Sequence, residues 1–170
     1  MVKQKIDRRR LIAGLSALAL TPSMSRAAEE YIDLNWTDLI PEGQPAIPPM
    51  LRDMIDHDQL PSSPAQPQSS GVRHDWNGMV VRLPGFIVPI DTSGRGVTAF
   101  ILVPFVGACV HVPPPPANQL VFVTTETPYQ SKGLYEAVNV IGMFGVASTS
   151  THLADIGYAL SADKIVPFNV

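Results

Sequence analysis

Four consecutive prolines, Pro113 to Pro116, stand near the middle of this chain and limit their surroundings more than any other feature. Each removes a backbone donor and fixes φ, so neither a helix interior nor a central strand can run through them. They follow an apolar, β-branched stretch, Phe100-Ile101-Leu102-Val103-Pro104-Phe105-Val106, by way of Gly107-Ala108-Cys109-Val110-His111-Val112. The pattern predicts a strand over 97–106 that gives way to a stiff, solvated polyproline arm.

The same punctuation recurs along the chain. Met79 to Ile90 is rich in Val, Ile and Phe but holds Pro84-Gly85 and Pro89, which predicts a long strand bent at the glycine and lying at a sheet edge. Leu120 to Thr125, Ala137 to Val146 with Gly142 and Gly145, and Gly157 to Phe168 complete five strand-like segments. No segment after the first 27 residues supports a helix of more than about ten residues. Five short, kinked strands predict an all-β domain, a small five-stranded antiparallel barrel of the oligonucleotide/oligosaccharide-binding (OB-like) type, with a β-sandwich as the alternative.

Three zones follow. Residues 1–27 read as an export signal: five basic residues lie within Met1 to Arg10, Leu11 to Leu20 is apolar, and Ser25-Arg26-Ala27 suits a signal peptidase. Arg8-Arg9-Arg10-Leu11-Ile12 resembles the twin-arginine signal, which implies a periplasmic protein cleaved after about Ala27. Residues 28–71 form a Pro-rich extension. In it, Tyr31 to Ile40 predicts an extended entry and one helical turn burying Trp36 and Leu39, and Met50 to His57 predicts a short helix. Residues 72–170 form the barrel. No span is expected in the mature chain, because the apolar core of the signal falls short of the roughly 20 residues a spanning helix needs.

Beyond Ala27 the chain carries 6 Lys and Arg against 14 Asp and Glu, a net charge of −8 with His neutral. That surface lacks the basic footprint of a nucleic-acid binder and suits cations or a basic partner.

The chain has one cysteine, so no disulfide can form within it. On one strand Cys109 and His111 would share a face, placing a thiol beside an imidazole. Three readings of the pair stay open: a buried structural thiol, a metal site and a thiol nucleophile with its base. For zinc or copper the pair supplies two ligands, and a third is expected from His74, His152 or His57, the last beside Asp53, Asp56 and Asp58. A non-catalytic docking surface made by Pro113, Pro114, Pro115, Pro116, Asn118 and Gln119 is the competing expectation. Nothing in the residues requires an enzyme.

Four stretches together carry a likeness to a known family: Trp36-Thr37-Asp38-Leu39-Ile40-Pro41, Leu83-Pro84-Gly85-Phe86-Ile87-Val88-Pro89, the run from Phe100 to Gln119, and Gly157-Tyr158. The chain resembles the bacterial exported family labelled domain of unknown function 3299, for which no reaction is established. The resemblance implies an exported protein whose signature is the Cys109-x-His111 pair with its following prolines. It also implies an accessory role beside envelope transporter components.

Overall fold

Apolar residues alternate along the strands so that one set meets in the interior. The computed structural model describes residues 30–44, 66–94, 96–109 and 114–168. The strands are β1 (Ile32–Asp33), β2 (Val80–Ser93), β3 (Gly96–Val103), β4 (Val121–Tyr129), β5 (Ala137–Ser150) and β6 (Asp155–Pro167). They form one sheet in the order β1-β2-β3-β4-β6-β5, closed into a barrel by pairing of β2 with β5. This is the OB-like order, and β1 is an extra strand parallel to the start of β2.

One pairing departs from the expected all-antiparallel barrel: β4 and β6 run parallel, with Val121 opposite Tyr158 and Thr125 opposite Ala162. The cause is connectivity. β5 pairs with β2, and β6 turns back from β5 to fill the remaining gap beside β4.

β2 also departs from the expectation of an edge strand, since its first half pairs with β5 and its second half with β3. Its prolines are tolerated because each half has one flank outside the barrel ladder. The Pro84 carbonyl accepts the Trp36 indole N–H at 2.7 Å, so the proline nitrogen, on the same side of the strand, faces a flank that needs no ladder donor.

Bulges give the strands their curvature. Ile141 pairs with Lys164 but Gly142 with Ala162, leaving Asp163 as the extra residue. There a Cβ on Gly142 would lie 2.0 Å from the Ser161 carbonyl oxygen, so only glycine fits.

The interior core contains Val81, Leu83 and Ile87 of β2, Phe100 and Leu102 of β3, Val121 and Val123 of β4, Val138, Val140 and Phe144 of β5, and Tyr158 and Leu160 of β6. Leu34 and Leu39 join it from the N-terminal segment, which caps the barrel through the 3₁₀ turn Trp36–Leu39. The expected helical turn is thus present and Leu39 is fully buried, with Trp36 packed against the core. The expected helix at Met50 to His57, with Asp53, Asp56 and Asp58, lies outside the described residues, as does the export signal. Among the described residues no helix is long and apolar enough to cross a membrane.

A second apolar cluster lies on the outward faces of β2, β3 and β4. Val88, Ile101, Val103, Leu120 and Ile156 form it with Ala108 and Ala154, and Cys109 and Tyr135 pack against it. Phe100 to Val103 are buried on both sides of the sheet because successive residues serve the two clusters in turn.

Candidate functional site

The segment joining β3 to β4 carries the cysteine. The expected strand over 97–106 stops at Val103, where Pro104 removes a donor and the chain turns. Gly107 at φ 97° and Cys109 at φ 67° are both left-handed, so Cys109 belongs to a turn and the same-face spacing of a strand does not apply to it. His111 and Pro113 lie outside the described residues.

The backbone strain at Cys109 has a counterpart. Tyr135, at φ 61°, is the other non-glycine residue with positive φ among the described residues. Its hydroxyl donates to the Ala108 carbonyl at 2.7 Å and its N–H donates to the Ile87 carbonyl at 2.8 Å. Left-handed conformations at residues with a Cβ cost about 1–3 kcal/mol each and persist where the surroundings over-determine them. Here one hydrogen bond joins the two strained segments.

Cys109 is half-buried in the outer cluster. Burial pushes its thiol up to about 11, so at neutral pH it is protonated. The Tyr135 hydroxyl is raised as well, first by burial and then by the negative charge Cys109 takes on once it ionises at alkaline pH. No cation holds the sulfur as a thiolate among the described residues, and a protonated thiol is a poor nucleophile.

Of the other expected ligands, two fall among the described residues. His74 is exposed in the turn before β2, where its carbonyl accepts the Asn77 N–H. His152 is exposed between β5 and β6, and His57 lies outside the described residues. Among the described residues no group of three or more His, Cys, Asp or Glu side chains stands close enough to hold a metal ion.

The proline run differs most from expectation. Pro114, Pro115 and Pro116 are buried, not a solvated arm, and the Pro115 carbonyl meets the chain's own N-terminal strap. Gln66 Nε2 donates to the Pro115 carbonyl and to the Asp155 carbonyl, both at 2.8 Å, while Gln66 Oε1 accepts the Asp155 N–H. The Asn118 amide donates to Ser70 Oγ and the Gly71 carbonyl, and the Gln119 amide donates to the Trp36 carbonyl at 2.9 Å. Asn118 and Gln119 are buried, their donors engaged within the chain.

Tyr158, of the Gly157-Tyr158 step that the sequence singles out, completes this strap. Its hydroxyl accepts the Arg73 N–H and donates to the Leu39 carbonyl, each at 2.7 Å. Gly157 precedes it because a Cβ there would meet the Ala117 carbonyl oxygen at 2.9 Å. Tyr135 and Gln66 had no sequence signal, since both act through contacts made across the fold.

The chain as a whole matches a known family. The model of a protein family described as a protein of unknown function, DUF3299, matches residues 36–167. No functionally curated protein matches the chain. A DUF3299 family protein from Pseudomonas aeruginosa PAO1, known from a crystal structure, is 36% identical and superposes with a TM-score of 0.68, over 83% of this chain and 98% of its own. The buried cap, the Gly157-Tyr158 step and the barrel strands all fall within the matched span, and the chain belongs to the DUF3299 family.

Proposed function

We propose that this chain is an exported periplasmic accessory protein that presents Cys109 and His111, the family signature in this reading, to a zinc or copper ion for an envelope transport system. The observation that carries the proposal is the strain shared by Cys109 and Tyr135. Two non-glycine residues are held left-handed at one spot, joined through the Tyr135–Ala108 hydrogen bond. Strain of this kind gathers where a side chain must be aimed.

A thiolate and an imidazole suit zinc or copper, but a closed zinc site takes four ligands. Two donors two residues apart in sequence suit transfer better than storage, the remainder coming from His74, His152 or His57 or from the partner. Binding must expel the Cys109 proton. With the thiol at about 11, affinity should rise about tenfold for each pH unit between 6 and 9.

The test is calorimetric titration with zinc and with copper of the wild type, Cys109→Ser and His111→Ala. The proposal expects binding in the wild type with that pH slope, and loss in both variants. Absence of wild-type binding, or binding that survives Cys109→Ser, refutes it. Export is tested separately by cell fractionation of an Arg8→Lys/Arg9→Lys precursor, which should remain in the cytoplasm.

A second reading, a non-catalytic interaction module, is favoured by one observation. Val106 and Leu134 are large apolar side chains left 60% and 49% exposed, on the two segments that the Tyr135–Ala108 bond joins. Pull-down with Val106→Ser/Leu134→Ser as the control distinguishes it, since those changes leave both metal donors in place. A thiol enzyme has the least support, because the sulfur is protonated at neutral pH.

A further inference from the structure

The turn entering β2 contains the sequence's one Asn-Gly step, Asn77-Gly78, and both residues are exposed. In a free chain this dipeptide is prone to self-modification, because glycine puts no side chain in the way of its own nitrogen. The Gly78 nitrogen gives up its proton to solvent base and attacks Asn77 Cγ. The Cγ–Nδ2 bond breaks, ammonia leaves, and a five-membered succinimide remains. Water then opens the ring at either carbonyl, giving Asp or isoaspartate, with no change of oxidation state.

Both reacting groups are engaged here. The Gly78 N–H donates to the Phe144 carbonyl at 2.8 Å, so the nucleophile's proton is held against β5. Asn77 Oδ1 accepts the Val146 N–H at 3.0 Å, which fixes the carboxamide along the β5 edge. The lock continues into the ladder, where the Phe144 N–H donates to the Met79 carbonyl at 2.9 Å and Val80 pairs with Met143. Ring closure requires the Gly78 nitrogen to leave Phe144 and the Asn77 carboxamide to leave Val146 together.

We propose that Asn77-Gly78 is a spontaneous modification site that the barrel holds shut, and that it reacts only when the start of β2 separates from β5. The product makes the opening permanent. Isoaspartate inserts Cβ into the main chain between Asn77 Cα and the Gly78 nitrogen and turns the Cγ carbonyl, until then the side-chain anchor to Val146, into the peptide carbonyl, so the Val146, Phe144 and Met79 bonds cannot all re-form. The site therefore records local opening at the seam that closes the barrel.

The experiment incubates the folded protein, the same protein unfolded in urea, and a synthetic peptide covering residues 70–82 in one mildly alkaline buffer. Peptide mass mapping reads amide loss, and isoaspartate content identifies the succinimide route. The expected result is at least about a tenfold slower reaction in the folded protein than in the peptide, with the urea-unfolded chain matching the peptide. A folded rate less than tenfold below the peptide, or an unfolded chain that stays slow, overturns the proposal. Gly145→Ala supplies a second arm, because its Cβ would lie 3.3 Å from Asn77 Oδ1 and press on the carboxamide. It should react faster than the folded wild type while remaining folded by circular dichroism. A folded Gly145→Ala protein reacting at or below the wild-type rate counts against the lock. If Gly145→Ala does not fold, the first three samples decide.

Discussion

Replacing Tyr158 by Phe isolates what holds the cap to the barrel. The ring is fully buried and lies 5.1 Å, centroid to centroid, from that of Phe144, so the apolar contacts survive the change. Only the hydroxyl is lost, and with it both partners: the Arg73 N–H in the segment leading to β2 and the Leu39 carbonyl on the N-terminal extension. The Leu39 carbonyl belongs to a buried residue and has poor access to water. An orphaned buried group costs about 1–3 kcal/mol. Arg73 is less buried, and its N–H recovers part of that loss from solvent. The sum comes to about 2–4 kcal/mol. With a urea m-value of about 2 kcal/mol/M, the unfolding midpoint should fall by about 1–2 M at unchanged slope. Leu39→Ala provides the scale, since emptying that core position should cost about 2–5 kcal/mol. A Tyr158→Phe loss below about 1 kcal/mol would refute the bridging role, because the orphaned carbonyl alone should cost that much. A fall in m would instead mean that the cap detaches before the barrel unfolds.

Further outcomes follow from single contacts. Gly142→Ala should fail to give a stable barrel, because the added methyl would lie 2.0 Å from the Ser161 carbonyl oxygen; thermal melts of the soluble fraction check it. Asn118→Ala should cost about 1–3 kcal/mol and expose residues 66–71 to limited proteolysis, since its amide holds Ser70 and Gly71. Alkylation of Cys109 should speed up about tenfold per pH unit from 7 to 10 and level off only near 11. The same shift has a stability sign. A thiol raised from 9.0 to about 11 contributes stability below pH 9 that is lost as pH rises towards 11, so Cys109→Ala should flatten alkaline destabilisation in urea melts.

Period-two alternation interrupted by glycine was enough to locate the five barrel strands, because each strand must turn one face to the interior core. Leu39 and Trp36 were legible for a similar reason: large apolar residues followed by Pro41 leave room for one buried turn. The parallel β4–β6 pair was not legible, since strand order depends on how the barrel closes, and neither strand's composition records its neighbour. The edge assignment of β2 failed because the proline rule applies to one flank at a time. β2 changes partners near Phe86, so each proline can face the flank that lacks a ladder. At the site, Cys109 stood out by composition. Tyr135 did not, because its role depends on a positive φ and one long-range hydrogen bond.

The run Gly107 to Gln119 divides physically into two parts, and this determines how its function can be tested. Its second part, from Pro114 onward, is a rail for the extension. Pro115 offers a carbonyl to Gln66, Asn118 holds Ser70 and Gly71, and Gln119 holds Trp36. Substituting the buried prolines would leave cavities beneath the strap and loosen the cap, so lost function in such variants would not identify a docking surface. In its first part, Ala108 and Cys109 lie with the outer cluster, and the Ala108 carbonyl accepts the Tyr135 hydroxyl. Cys109→Ser leaves the rail intact and keeps nearly the same volume, which makes loss of metal or partner binding in that variant attributable to the sulfur. Tyr135→Phe removes only the bond to Ala108 while preserving the aromatic packing. If the shared strain aims the thiol, Tyr135→Phe should weaken binding without lowering the urea midpoint by more than about 1–2 kcal/mol of stability. Equal losses of binding and stability would place Tyr135 in the scaffold.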